Sequence, residues 1–240
     1  MAEGLLLLHA FPLDASMWEP QIEGLRDVQI VAPNLPGFGG AASAGDSMSM
    51  DAAADVAADA LRASGLDRAL VCGLSMGGYV ALAFWRRHPG MVSGFVFANT
   101  RAGADDDAGK DRRRALAERL RSEGNGFLVD SPPPLLSGDA SDELWAQVKR
   151  VIAAQPAEAI AAASLGMADR PDSTGDLAGI DVPTLVITST GDTLIPPEAT
   201  RPMASQIPGA RLEEIDGAGH LSNLEAPDRF NDLLRGHITG

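Results

Sequence analysis

A single cysteine, Cys72, is all the thiol this chain has. That forbids an internal disulfide and argues for a reducing compartment, so a cytoplasmic protein is expected. Cys72 sits in an apolar run and reads as core filler, not as a nucleophile. No run approaches the ~20 apolar residues that a bilayer-crossing helix needs; residues 5–8 are far too brief. Glu3 stands where a secretory leader would carry positive charge, so export is not expected. Positive charge is also scarce. Lys and Arg number 19 against 33 Asp and Glu, a net −14, which argues against nucleic acid or an anionic membrane as partner. Four histidines, with no Cys/His cluster at ligand spacing, give no reason to expect a metal or a cofactor.

What remains is a globular composition. At 240 residues, 45% of them hydrophobic and 22% charged, the chain is long enough for one sizeable core with an inserted subdomain. Segments at 5–8, 29–32, 69–72, 94–98, 183–188 and 211–215 read as strands, several of them apolar without the alternation of a half-exposed sheet. That pattern suits parallel strands covered on both faces. Helical patterns separate them. Asp14 looks like the cap of a helix through Trp18, Ile22 and Leu25, and Ser49 or Asp51 caps an alanine-rich helix that ends near Ser64. The strand–helix alternation predicts an α/β fold with a mostly parallel, doubly wound sheet of about six strands. It breaks after Asn99. Residues 101–175 show helices at about 110–122, 142–155 and 156–167, plus a triple proline at 132–134, and no strand. The expected division is therefore a core of 1–100 and 176–240 with a helical cap, 101–175, inserted into it. Near the end, helices are expected over about 199–206 and 224–235.

Gly73-Leu74-Ser75-Met76-Gly77 joins a strand pattern to a helix pattern. A serine between two glycines at such a turn is a nucleophile-elbow arrangement, whose strained backbone holds the hydroxyl clear of the sheet. A serine hydroxyl needs a base, itself oriented by a carboxylate. In the order this motif requires, Asp192 follows the strand at 183–188 and His220 follows the strand at 211–215. Both should reach the sheet edge that carries Ser75, where ligands of parallel sheets bind. Asp216 shares a loop with His220 and reads as a turn residue. The 105–107 acidic run reads as a solvated stretch or helix cap. His88 ends a helix, and His237 is expected to be exposed. The oxyanion of a tetrahedral intermediate needs donors, expected from the N–H groups of Met76 and Phe11. His9 should then fix the Phe11 loop.

These segments resemble the α/β-hydrolase family over nearly the whole chain. His9-Ala10-Phe11-Pro12 is similar to its oxyanion segment, with Ala10 where glycine is usual. Asn34-Leu35-Pro36-Gly37-Phe38-Gly39 is similar to a second family loop, with Asn34 in place of aspartate. Gly191-Asp192 and Gly219-His220 resemble its acid and histidine segments. The serine at position 75 separates the chain from branches that place aspartate there. Within the family it looks most like small esterases and enol-lactonases. The family usually has two strands ahead of the oxyanion strand, whereas this sequence enters that strand at Leu5, so a sheet of about six strands is expected.

The resemblance implies a cofactor-free serine hydrolase of a small carboxylic ester or lactone, monomeric or homodimeric. A methyl esterase, thioesterase, carbon–carbon hydrolase or perhydrolase would use the same three residues, and a non-catalytic ligand receptor is the alternative of another class. Residues 101–175 hold 10 of the 19 basic residues. Arg112, Arg113, Arg114, Arg119 and Arg121 read as a solvated helix face, while Arg101 is the candidate to meet a substrate carboxylate. Trp145 and Met167 are candidates for an apolar wall.

Overall fold

Four consecutive leucines need cover on both faces, and in the fold they find it. The computed structural model describes residues 4–239, and β1 (Gly4–Leu8) is buried at all five positions. Glu3, which bears on the export signal, lies outside the described residues. The chain continues through α1 (Glu19–Gly24), β2 (Ile30–Val31), α2 (Met50–Ala63), β3 (Ala69–Leu74), α3 (Met76–Arg87) and β4 (Val92–Ala98). Four helices follow: α4 (Asp107–Glu123), α5 (Gly126–Asp130), α6 (Asp142–Ala154) and α7 (Ala157–Ala168). Then come β5 (Thr184–Ser189), α8 (Pro197–Gln206), β6 (Arg211–Ile215), α9 (Ser222–Glu225) and α10 (Pro227–Thr239).

The six strands form one sheet in the order β2-β1-β3-β4-β5-β6, every neighbouring pair parallel. Parallel neighbours require crossovers, so all strand ends that carry long loops fall on one edge. The expected count of six strands holds. The second strand is shorter than its apolar run at 29–32, with only Ile30 and Val31 paired to Leu5 and Leu6. It lies at the sheet edge, and Pro33 has no N–H with which to extend the ladder.

Other boundaries moved for similar local reasons. Asp14 does cap a helix, accepting from Ser16 N–H, but the first turn is a 3₁₀ helix (Ala15–Trp18) and α1 ends before Leu25. The C-terminal helix is split at Ala226, because Pro227 takes a first-turn position where its missing N–H costs nothing. Ser49, not Asp51, caps α2 through its hydroxyl.

The stretch between β4 and β5 is helical without any strand among the described residues. Its helix α4 begins earlier than the pattern at 110–122 predicts, because Asp106 accepts Gly109 N–H at 2.7 Å and caps it. The short α5 has no counterpart in the sequence reading. Helix α7 is pressed against the loop ahead of α2. A Cβ on Gly166 would stand 1.6 Å from the Met48 carbonyl oxygen, and Met48 N–H donates to Ala162 O at 3.0 Å. At the end of α6, Gln155 is buried and reaches Asp14 Oδ2 at 2.8 Å while accepting Gly39 N–H at 2.9 Å. The helical stretch is thus bonded to the loops that follow β1 and β2.

Candidate active site

Ser75 occupies the tight turn between β3 and α3, with φ 57° and ψ −115°. Positive φ in a residue with a side chain is strained, at about 1–3 kcal/mol. The neighbours dictate it. A Cβ on Gly73 would lie 2.2 Å from Gly77 O, and one on Gly77 would lie 2.0 Å from Leu8 O. Strand, helix and β1 therefore meet at a spot where only glycines fit. The turn is held by Ser75 N–H donating to Ala98 O at 3.0 Å and by Thr100 Oγ1 donating to Ser75 O at 2.7 Å. Ser75 is nearly buried and lines a cavity of about 630 Å³.

Asp192 follows β5 and His220 follows β6, so both leave the sheet at the edge that carries Ser75. The structure brings these two together: His220 Nδ1 lies 2.8 Å from Asp192 Oδ2, with both side chains fully buried. A carboxylate can only accept, so Nδ1 is the protonated nitrogen of the neutral ring and Nε2 is the free base. That Nε2 is buried and has no hydrogen-bond partner among the described residues, Ser75 included. Asp192 Oδ1 accepts the Leu194 and Ile195 N–H groups, each at 2.9 Å. Asp216 instead accepts from Thr190 Oγ1 in an exposed turn.

Sequence reasoning missed Asn99. It follows β4 directly, takes φ 45°, and donates from Nδ2 to Asp192 Oδ2 at 2.9 Å and to Ser189 Oγ at 2.6 Å. Ser222 Oγ closes the network on Asn99 Oδ1 at 2.7 Å. The signal was present: asparagine tolerates the left-handed region, and a polar residue directly after a central strand falls at the ligand edge.

Neither Phe11 N–H nor Met76 N–H has a partner among the described residues. Met76 opens α3, whose first N–H groups are unsatisfied by the helix itself. Phe11 lines the cavity. Its loop is fixed from behind, with Ala10 N–H on Met17 Sδ at 3.2 Å and His9 Nε2 accepting Leu35 N–H at 3.0 Å. Burial lowers the His9 pKa from 6.5 to about 4, despite the opposing hydrogen bond to Ala10 O and the charge of Asp14. His9 is therefore neutral near pH 7 and able to accept that bond.

The loop carrying His220 is tied to the helical stretch. Leu221 N–H donates to Leu135 O at 2.8 Å. Glu225 binds Ser137 N–H and hydroxyl, at 3.1 and 2.5 Å, and Gly219 N–H at 2.8 Å. A Cβ on Gly219 would come within 2.3 Å of Ser137 N.

The remaining candidates divide. Met167 is buried and lines the Ser75 cavity, and the half-buried Arg101 lines it too. Trp145 does not. It lines a separate depression that shares only Ser131 and Pro132 with the first, so the proline-rich segment stands between α6 and Ser75. The acidic run is not simply solvated. Asp106 caps α4, while Asp105 is buried and bonded to Arg101, Arg113 and Arg170. Burial alone would raise its pKa, but the bonds from Arg170 and Arg113 more than offset this and hold the carboxyl far below the usual range. Nor is the arginine-rich face of α4 only solvated, since Arg112, Arg113 and Arg119 line the cavity. His88 binds Asp55 Oδ1 at 2.8 Å through Nε2 instead of a helix carbonyl. His237 is half-buried beside Gly94, not exposed. Cys72 is fully buried, which pushes its thiol pKa up. Among the described residues no group of three His, Cys, Asp or Glu could hold a metal ion, and no single helix is long and apolar enough to cross a membrane.

A six-stranded parallel sheet with a strained serine at a strand–helix turn, and a buried His–Asp pair at the same edge, defines a class of serine-dependent α/β enzymes. The chain belongs to the alpha/beta hydrolase family, whose model matches residues 5–233. It is 28% identical over 242 residues to 3-oxoadipate enol-lactonase 1 of Acinetobacter baylyi, covering 99% of this chain and 89% of that one. It is 30% identical over 256 residues to a pimeloyl-acyl-carrier-protein methyl ester esterase of Aromatoleum aromaticum, covering 98% of each. Among solved structures, a thermophilic esterase of Thermogutta terrifontis in a malate-bound form superposes with a TM-score of 0.95 at 38% identity. That match covers 99% of this chain and 89% of the esterase.

Proposed function

We propose that this protein is a serine hydrolase of small carboxylic esters or lactones, working through an acyl-enzyme. Ser75 Oγ attacks the substrate carbonyl while His220 Nε2 takes its proton. Asp192 keeps the Nδ1 proton in place and stabilises the imidazolium that forms. The N–H groups of Met76 and Phe11 bind the tetrahedral oxyanion, each donor typically worth about 3–4 kcal/mol in the barrier. Collapse expels the alkoxide, which His220 protonates; water, deprotonated by His220, then cleaves the acyl-enzyme. In a lactone the leaving alkoxide stays on the acyl group, so a single hydroxy acid is released. The helices at 101–175 act as a cap over the cavity, and we place the reaction in the cytoplasm, on the single buried Cys72.

One observation carries this reading. The His220–Asp192 bond leaves a buried, unpartnered Nε2 at the sheet edge of a strained serine, a cost that binding alone does not require. The names of the relatives, an enol-lactonase and esterases, support the ester or lactone chemistry. The purified protein should hydrolyse p-nitrophenyl acetate over many turnovers, and a fluorophosphonate should label it once, at Ser75. A single slow turnover, or label on another serine, would overturn the assignment.

A further inference from the structure

In a protein of net charge −14, the Ser75 cavity is lined by Arg101, Arg112, Arg113 and Arg119 and by no acidic residue. Charge of one sign gathered in a partly enclosed cavity repels itself and raises the local concentration of the opposite sign. Two of these arginines, with Arg170 behind them, converge on the one buried carboxylate of Asp105. Three guanidinium groups against one carboxylate leave two positive charges with no contacting acid. Arg170 is buried at 3% side-chain exposure and lies over the Tyr79 ring at 4.1 Å. It holds the Asp105 centre in place.

The arginines differ in what they have left to offer. Arg119 is occupied, bonded to Glu123 Oε2 at 2.9 Å and stacked 3.8 Å from the Phe127 ring. Arg113 spends only Nε on Asp105, and its two terminal nitrogens have no protein partner among the described residues. Arg101 uses Nη2 on the same carboxylate and leaves its buried Nε unpartnered. Arg112 makes no ion pair or hydrogen bond at all among the described residues, although exposed arginines elsewhere on the protein, such as Arg87 and Arg235, have found an acid. The lining also includes the apolar side chains of Leu116, Leu128, Met167 and Leu194. An alkyl chain with an anionic end matches this mixture of cationic and apolar lining.

The geometry points to a substrate that carries a free carboxylate, held by Arg112 and Arg113, at the far end of a short alkyl chain from the ester or lactone carbonyl. Asp105 fixes Arg101 and Arg113 while leaving the cluster cationic. A guanidinium with both terminal nitrogens free receives a carboxylate through two charge-assisted bonds. This rests on the hydrolase reading of Ser75 and is tested so that the two can fail separately.

Two esters of equal chain length are compared, mono-p-nitrophenyl adipate and p-nitrophenyl hexanoate, at low ionic strength. The wild type should favour the adipate monoester in kcat/KM by about tenfold or more, and added salt should erode that ratio. Arg112→Gln, which breaks no contact in the fold, and Arg113→Gln should each cut the ratio at least about fivefold, chiefly through KM. A wild-type ratio of one or below, or a ratio unmoved by both variants, overturns the carboxylate site while leaving the hydrolase reading intact. The second arm needs no turnover: calorimetry of adipate dianion on Ser75→Ala, with and without Arg112→Gln. Binding that weakens with the arginine change supports the site even if neither ester is cleaved, and absence of binding overturns it.

Discussion

Asp192 Oδ2 accepts two hydrogen bonds at once, from His220 Nδ1 at 2.8 Å and from Asn99 Nδ2 at 2.9 Å. With two backbone N–H groups on its other oxygen, the carboxylate has little freedom to turn away from the ring. Asn99 itself is anchored by Ser222 and stands in a left-handed conformation. The orientation of the imidazole is thus set by residues from three separate strand ends.

This ranks the polar residues. Asp192→Asn should lower kcat by about 10⁴, the loss typical when a carboxylate behind the histidine is removed. Asn99→Ala should cost about tenfold to a hundredfold, the equivalent of one hydrogen bond to a charged group. Asp216→Asn should cost the least of the three. Steady-state kinetics on one ester checks the order, and an Asp216 effect exceeding that of Asp192 would reverse the assignment of the acid.

The strain at Ser75 predicts opposite outcomes for two inactive variants. Ser75→Ala should abolish turnover with an unchanged unfolding midpoint, because only one hydroxyl is lost and φ 57° is kept. Ser75→Gly should also be inactive but raise Tm, by about 2–4 °C for each kcal/mol of strain relieved. Calorimetric scans decide it. A Gly variant no more stable than the Ala variant would show that the turn is relaxed.

His9 should make the fold sensitive to mild acid. Its pKa is 6.5 unfolded and about 4 folded, so between these values the unfolded chain binds more protons. Stability falls as pH drops through this window, by up to roughly 3 kcal/mol in all. His9→Gln, which can still accept Leu35 N–H, should flatten that part of the curve. Urea midpoints measured from pH 7 to pH 4 test this, and parallel curves for the two proteins would refute it.

Asp105→Asn should cost about 3–5 kcal/mol, because Arg170 would be left buried without a carboxylate. Asp55→Asn, at the exposed partner of Arg87, should cost about 1 kcal/mol or less. The Asp105 contribution is fully present above its ordinary value of 3.8 and is lost only as pH falls through the depressed folded value. Equal urea midpoints for the two variants would show that the arginine cluster carries no stability.

The sheet was legible because its signal is local. Residues 5–8, 69–74 and 94–98 are apolar without alternation, and turn residues bound each run, so strand number and direction follow from spacing. The elbow was legible for the same reason, as Gly73 marks a contact with Gly77 within the same turn, although the contact that Gly77 makes with Leu8 is long-range. Other long-range partners left no such mark. Nothing about residue 105 distinguishes it from 106 and 107 until Arg113 and Arg170 fold onto it, across 8 and 65 positions. Trp145 carries a helix-face signal that says nothing of the proline segment standing between it and the cavity. Single prolines, at 33 and 227, moved element ends by breaking hydrogen bonds that periodicity does not count.

The bonds from Leu135 and Ser137 to the loop around His220 bear on how this protein can be recombined. A chimera joined near residues 101 and 175 would import a foreign segment opposite Gly219, where the native backbone leaves no room for a Cβ. The histidine loop would lose its Leu135 and Ser137 partners along with the old helices. Residues 135–137 therefore belong with the donor of His220, and any exchange of substrate preference between relatives has to carry that tripeptide with the acceptor core.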